Sequence, residues 1–79
     1  MTWDQKIARI DTDAWYRIAD VVRNKWVVNT HGTADRRHIY RLINTADLMA
    51  RDRASRGAKQ PLYVIRGREL IRFIQRTYL

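Results

Sequence analysis

The 79-residue chain contains no cysteine, so neither a disulfide nor a thiolate metal site can staple its fold. That absence fits a reducing compartment. No stretch approaches the roughly 20 apolar residues needed to span a bilayer. Met1-Thr2-Trp3-Asp4-Gln5-Lys6 lacks an apolar run of signal-peptide length. The expectation is a soluble, cytoplasmic and nucleoid-associated protein with no membrane partner. Internal repeats, low-complexity tracts and linkers are absent, with one proline and three glycines in the chain. Reactive side chains are scarce too. His31 and His38, with Asp35 between them, form the sole conceivable metal or acid–base group. However, His31 precedes Gly32 outside any helix, so the helical ligand spacing is not met. Ser55 is the single serine, and the pattern places no base beside it. The eight acids are scattered, mostly as caps. No catalytic, cofactor or metal site is expected, and the chain does not read as an enzyme.

What the chain has is positive charge, unevenly placed. Its formal net charge is +8. Residues 1–35 are neutral, with Lys6, Arg9, Arg17, Arg23 and Lys25 balanced by Asp4, Asp11, Asp13, Asp20 and Asp35. All of the excess lies in residues 36–79, where only Asp47, Asp52 and Glu69 oppose the cations. A neutral half joined to a cationic half implies a basic face and a polyanionic partner, with nucleic acid first. Most of the cations are arginines, whose planar fork grips phosphate or guanine edges with two hydrogen bonds. A hydrophobic fraction of 46% with three Trp and four Tyr suits one globular domain near the lower size limit for a self-sufficient core. A homodimer or a partner is one way to complete it.

The periodicity predicts a mainly α domain with a small β element. Trp3, Ile7 and Ile10 suggest a short amphipathic helix, and Asp11-Thr12-Asp13 a cap for the next. Trp15, Ile18, Ala19, Val22 and Trp26 recur at helical spacing, predicting one helix that ends near Asn29-Thr30-His31-Gly32. Both tryptophans then fall on its apolar face and read as core or dimer interface rather than as base-stacking platforms. Thr33 and Asp35 open a further helix. It either runs unbroken to about Ser55 or splits at Asn44-Thr45-Ala46-Asp47; two shorter helices are preferred, because Arg53 otherwise points into the apolar face. Residues 51–60 read as a basic helix end and loop. Pro61 starts a β-prone run, Leu62-Tyr63-Val64-Ile65. Beyond Arg66-Gly67 a second strand and a helix compete, and the shared face of Leu70, Ile71, Phe73, Ile74 and Tyr78 favours the helix.

Two basic groups stand out. Arg36, Arg37, His38 and Arg41 occupy the first turns of the central helix, suited to base edges and phosphates of a major groove. Arg51, Arg53, Arg56 and Lys59, with Arg66 and Arg68 beyond the strand, suit phosphates or a minor groove.

Ile18-Ala19-Asp20-Val21-Val22 is similar to the first helix of a helix-turn-helix. Arg37-His38-Ile39-Tyr40-Arg41-Leu42-Ile43 resembles the recognition helix of small excisionase-type and related winged-helix DNA-binding proteins. Pro61 to Ile74 resembles that family's wing strand and closing helix. The stretch between Ile43 and Pro61 is longer than the family's connection, with residues 45–54 reading as an inserted helix. The resemblance implies a helix-turn-helix, plain or winged. It also implies double-stranded DNA as partner, cooperative binding to repeated sites, DNA bending, and service to a recombinase or at a promoter, often in phage or mobile elements. Two other functions fit the charge: an inhibitor or adaptor whose basic face covers an acidic or nucleic-acid-binding surface of another protein, and an RNA-binding accessory protein.

Overall fold

The computed structural model describes residues 1–79. The chain runs α1 (Trp3–Ala8), β1 (Trp15–Arg17), α2 (Ile18–Arg23), α3 (Arg36–Asn44), β2 (Arg51–Asp52), β3 (Tyr63–Arg66) and α4 (Gly67–Thr77). Helices hold 41% of residues, and the three strands form one antiparallel sheet in the order β1-β3-β2. The expectation of a mainly α helix-turn-helix domain is therefore corrected: the architecture is α+β. No helix is long and apolar enough to cross a membrane.

The stripe from Trp15 to Trp26 is not one helix. Trp15 pairs with Arg66 and Arg17 with Val64 across the sheet, so residues 15–17 are extended by a partner fifty positions away. Helical pattern begins only at Ile18. It stops at Arg23 because Lys25 turns left-handed, φ 53°, and the Trp26 and Lys25 N–H groups donate back to the Val21 and Val22 carbonyls. That is a Schellman closure with lysine where glycine is usual. Asn44 ends α3 in the same way. Ala46 adopts φ 62°, and the N–H groups of Asp47 and Ala46 donate to the carbonyls of Leu42 and Ile43. The second short helix expected over residues 45–54 is absent; a turn leads into β2 instead.

Strand alternation sorts the sheet into two faces. Tyr16, Tyr63 and Ile65 face inward, where Ile65 is fully buried with Val21, Val27, Ile39, Leu48, Leu70 and Ile74. Trp15, Arg17, Val64, Arg66 and Arg51 share the outer face. Val64 is buried yet lies outside the core cluster, flanked in register by Arg17 and Arg51. The neutral and basic halves of the sequence thus share one sheet.

Two further contacts close the fold. The turn at residues 11–14 does not cap a new helix but docks on the start of α4. The N–H of Gly67 donates to the Ala14 carbonyl (2.9 Å) and that of Arg68 to the Thr12 carbonyl (3.1 Å). A Cβ on Gly67 would lie 2.7 Å from the Asp11 carbonyl carbon and collide with its oxygen. At the other end, Trp3 stacks on Tyr78 at 4.2 Å, and the Tyr78 hydroxyl donates to the Val28 carbonyl (2.7 Å) while accepting from its N–H (2.9 Å).

Candidate nucleic-acid interface

Asp35 starts α3 by accepting the Arg37 N–H at 2.9 Å. The 3.6-residue period then turns Ile39, Leu42 and Ile43 toward the core. Two adjacent columns remain: Arg37 with Arg41 opposite the core, and Arg36 with Tyr40 and Asn44 on the flank, where Tyr40 still packs against the core. Arg36, Arg37 and Arg41 are exposed, and none has an acidic partner. His38 falls elsewhere. It is half-buried in a cleft between α3 and α4, lined also by Thr30, Asp47, Arg76 and Tyr78, and so turns away from the arginine columns.

Facing α3 is the long connection from β2 to β3. Residues 53–62 form a basic hairpin loop whose neck is held by one carboxylate. Asp52 accepts the N–H groups of both Ala54 (2.8 Å) and Leu62 (3.0 Å), and the Arg53 N–H donates to the Leu62 carbonyl (2.8 Å). Arg56 and Lys59 project from the exposed part of this loop without acidic partners. A groove separates loop and helix. Tyr40 and Tyr63, with ring centroids 5.9 Å apart, form its floor. One cavity, about 380 Å³, is lined by Tyr40, Asn44, Gln60, Pro61 and Tyr63. A second, about 140 Å³, continues it past Arg36 toward Arg17. Arg36 at the edge of this amphipathic floor can meet a polyanion lying against α3, while polar edges such as Asn44 and Gln60 meet its hydrogen-bonding groups.

The other basic residues expected to meet nucleic acid do not join this groove. Arg68 leaves from the first turn of α4 and pairs with Asp13 at 3.0 Å; Arg66 approaches the same carboxylate at 3.7 Å. Arg51, Arg53 and Arg66 gather around Trp15 on the outer sheet face. Trp15 is half-buried beside these cations, which corrects the expectation that it points into the core; Trp26 does, meeting Tyr16 edge-on at 4.8 Å. The sequence signal for Trp15 was its place in a run with Tyr16 and Arg17, short and β-prone, which the coincident helical spacing masked. From sequence alone Tyr40 and Tyr63 could equally stack or pack, and Asn44 falls in the polar stripe with Arg37 and Arg41; Gln60 carries no signal, and the juxtaposition of the four gives them a role.

Shifted titrations lie at the Trp3–Tyr78 clasp, away from both basic surfaces. Burial raises the Tyr78 phenol, opposed by its bond to Val28. Burial lowers the Lys6 ammonium, with repulsion from Lys25 adding to it.

The chain matches no family model, no curated protein and no solved structure. The likeness to excisionase-type proteins therefore gains no support from these comparisons, and the functional reading rests on the geometry above.

Proposed function

We propose that this protein binds double-stranded DNA, with α3 as the element that reads the duplex and the β2–β3 loop as a clamp on its backbone. The observation that carries the reading is the set of exposed cations without acidic partners on α3 and on the loop that follows β2: Arg36, Arg37 and Arg41 on the helix, Arg56 and Lys59 on the loop. Unpaired arginines cost nothing to detach from carboxylates when phosphates arrive, and each phosphate they neutralise releases condensed counterions. Arg37 and Arg41, one turn apart and flanked by Asn44, are the side chains suited to guanine and adenine edges. Arg56 and Lys59 have no geometric reason to distinguish bases and act on phosphate. The working role on this reading is that of a small regulator or architectural factor, without catalysis.

A mobility-shift assay on duplexes from the protein's own genomic neighbourhood tests it. Arg37→Ala with Arg41→Ala should erase discrimination between preferred and scrambled duplexes. Arg56→Ala with Lys59→Ala should weaken both by the same factor. Failure of the wild type to shift any duplex at low salt sinks the proposal.

A further inference from the structure

The outer face of the sheet is a strongly charged surface that the α3 groove leaves unused. Its inner face carries Tyr63, which meets Tyr40 of α3, so the outer face looks away from the arginine columns of that helix. Trp15, on edge strand β1, is the ring its cations gather around. The guanidinium carbons of Arg53, Arg66 and Arg51 stand 4.8, 5.2 and 5.7 Å from the indole centroid. Arg17 shares the face. Asp13 reaches Arg66 from one side at 3.7 Å, while Arg17, Arg51 and Arg53 have no acidic partner. Arg66 also keeps a buried Nε–H without an acceptor.

Beside the indole opens a cavity of about 240 Å³, lined by Trp15, Met49, Ala50, Arg51, Arg66 and Glu69. Its walls are chemically mixed. Trp15 and Met49, the latter 59% exposed, offer flat or polarizable apolar surface. Two guanidiniums offer forked donors. The Glu69 carboxylate, 3.6 Å from Arg72, offers acceptors. Three guanidiniums around one ring repel each other, and the indole quadrupole offsets only part of that. An anion is the missing component. A phosphate alone would leave Trp15 and Met49 idle, and an uncharged ring would leave the arginines idle. A nucleotide in an unpaired strand uses both, its base against the indole and its phosphates across the guanidiniums. A duplex keeps its bases stacked inside and cannot present one here without extruding it.

We propose that the outer face of the β1-β3-β2 sheet is a binding site for single-stranded nucleic acid. Trp15 is its stacking platform, and Arg17, Arg51, Arg53 and Arg66 follow the strand's backbone. The site stands independently of the duplex reading, because it uses none of the five cations that carry that reading, although Arg17 also borders the far end of the smaller groove cavity.

The test titrates wild-type protein with a 12-nucleotide oligo(dT), and in parallel oligo(U), while following tryptophan fluorescence. Quenching by either strand supports the site and assigns DNA or RNA; binding of neither at 50 mM salt overturns it. Trp15→Ala should weaken binding about tenfold or more, and Trp15→Phe should abolish the quench. Quenching that persists in that variant overturns the stacking role. Arg51→Gln with Arg53→Gln leaves the inner sheet face untouched and should make the salt slope shallower by about 1.4, at about 0.7 per lost phosphate contact on single strands. An unchanged slope overturns the proposal even if the Trp15 variants fail to fold. Arg37→Ala with Arg41→Ala should retain single-strand affinity within about twofold, whether or not duplex binding exists. Equal loss of both would show one shared surface and overturn this one.

Discussion

Replacing Arg56 and Lys59 together by alanine changes the electrostatics of the loop proposed to clamp the duplex by a calculable amount. Five exposed cations on α3 and the loop have no acidic partner; with Arg37 and Arg41 assigned to base edges, Arg36, Arg56 and Lys59 are left for phosphates. Each phosphate neutralised on B-form DNA contributes about −0.9 to the slope of log affinity against log salt, so engagement of these three gives about −2.7. Raising salt from 50 to 200 mM then weakens duplex binding by about 40-fold. Without Arg56 and Lys59 the slope relaxes to about −0.9, and the same salt change costs about 3.5-fold. Both quantities come from fluorescence anisotropy of a labelled duplex titrated at four or five salt concentrations. The slope isolates phosphate contacts from base contacts, since a hydrogen bond to a base edge releases no counterion. Folding is checked by circular dichroism, and both side chains project from the exposed part of the loop. A wild-type slope shallower than about −1, or the same slope in both proteins, refutes the assignment of Arg56 and Lys59 to phosphate.

The terminal clasp gives a second expectation. Tyr78→Phe keeps the stack on Trp3 but strands the Val28 N–H and carbonyl, so stability should fall by about 1–3 kcal/mol and Tm by roughly 5–15 °C. The pH dependence has a defined sign. The folded phenol titrates above its ordinary value near 10, so its contribution is complete below pH 10 and is lost as pH rises through the folded value. Wild type should therefore lose its advantage over Tyr78→Phe above that pH, as urea melts will show; a constant gap removes the linkage. Gly67→Ala drives a methyl group into the Asp11 carbonyl and should cost about 2 kcal/mol or more, read from the urea midpoint. A neutral result means that the 11–14 turn does not hold α4. Ala46→Gly relieves a left-handed alanine and should add about 0.5–1 kcal/mol despite the greater freedom of glycine when unfolded. A loss in thermal melts would contradict the Schellman closure of α3.

Local signals carried those parts of the fold that local interactions decide. Pro61 followed by a β-prone run marked β3, and the apolar face from Leu70 to Tyr78 marked α4. Asp35 marked the start of α3 through its capping carboxylate. The failures share two causes. Strands β1 and β2 are three and two residues long and exist only through pairing with β3, so no window around Trp15 or Arg51 contains the reason for them. The end of α2 was hidden because lysine occupies the left-handed position where glycine would have announced a stop, whereas the end of α3 at Asn44 was legible in Asn44-Thr45-Ala46-Asp47 although alanine is the left-handed residue there. For the candidate interface, charge counting identified the basic residues but not their grouping. Arg51, Arg53 and Arg66 are scattered in sequence, and the side chain that gathers them is Trp15, from the half of the chain with no net charge.

Asp52, whose single carboxylate oxygen ties the neck of the hairpin loop, also sets how much freedom a ligand must remove. With Ala54 and Leu62 fastened to it, the conformational search is confined to residues 55–61 and narrowed further where the Ala58 N–H meets the Ser55 carbonyl. Each backbone residue immobilised costs about 1–2 kcal/mol, so fastening the neck in advance spares a bound polyanion several kcal/mol of ordering. Arg56 and Lys59 are thus carried on a short tether of small effective volume, and how far they range is a property of an acidic residue that touches neither of them.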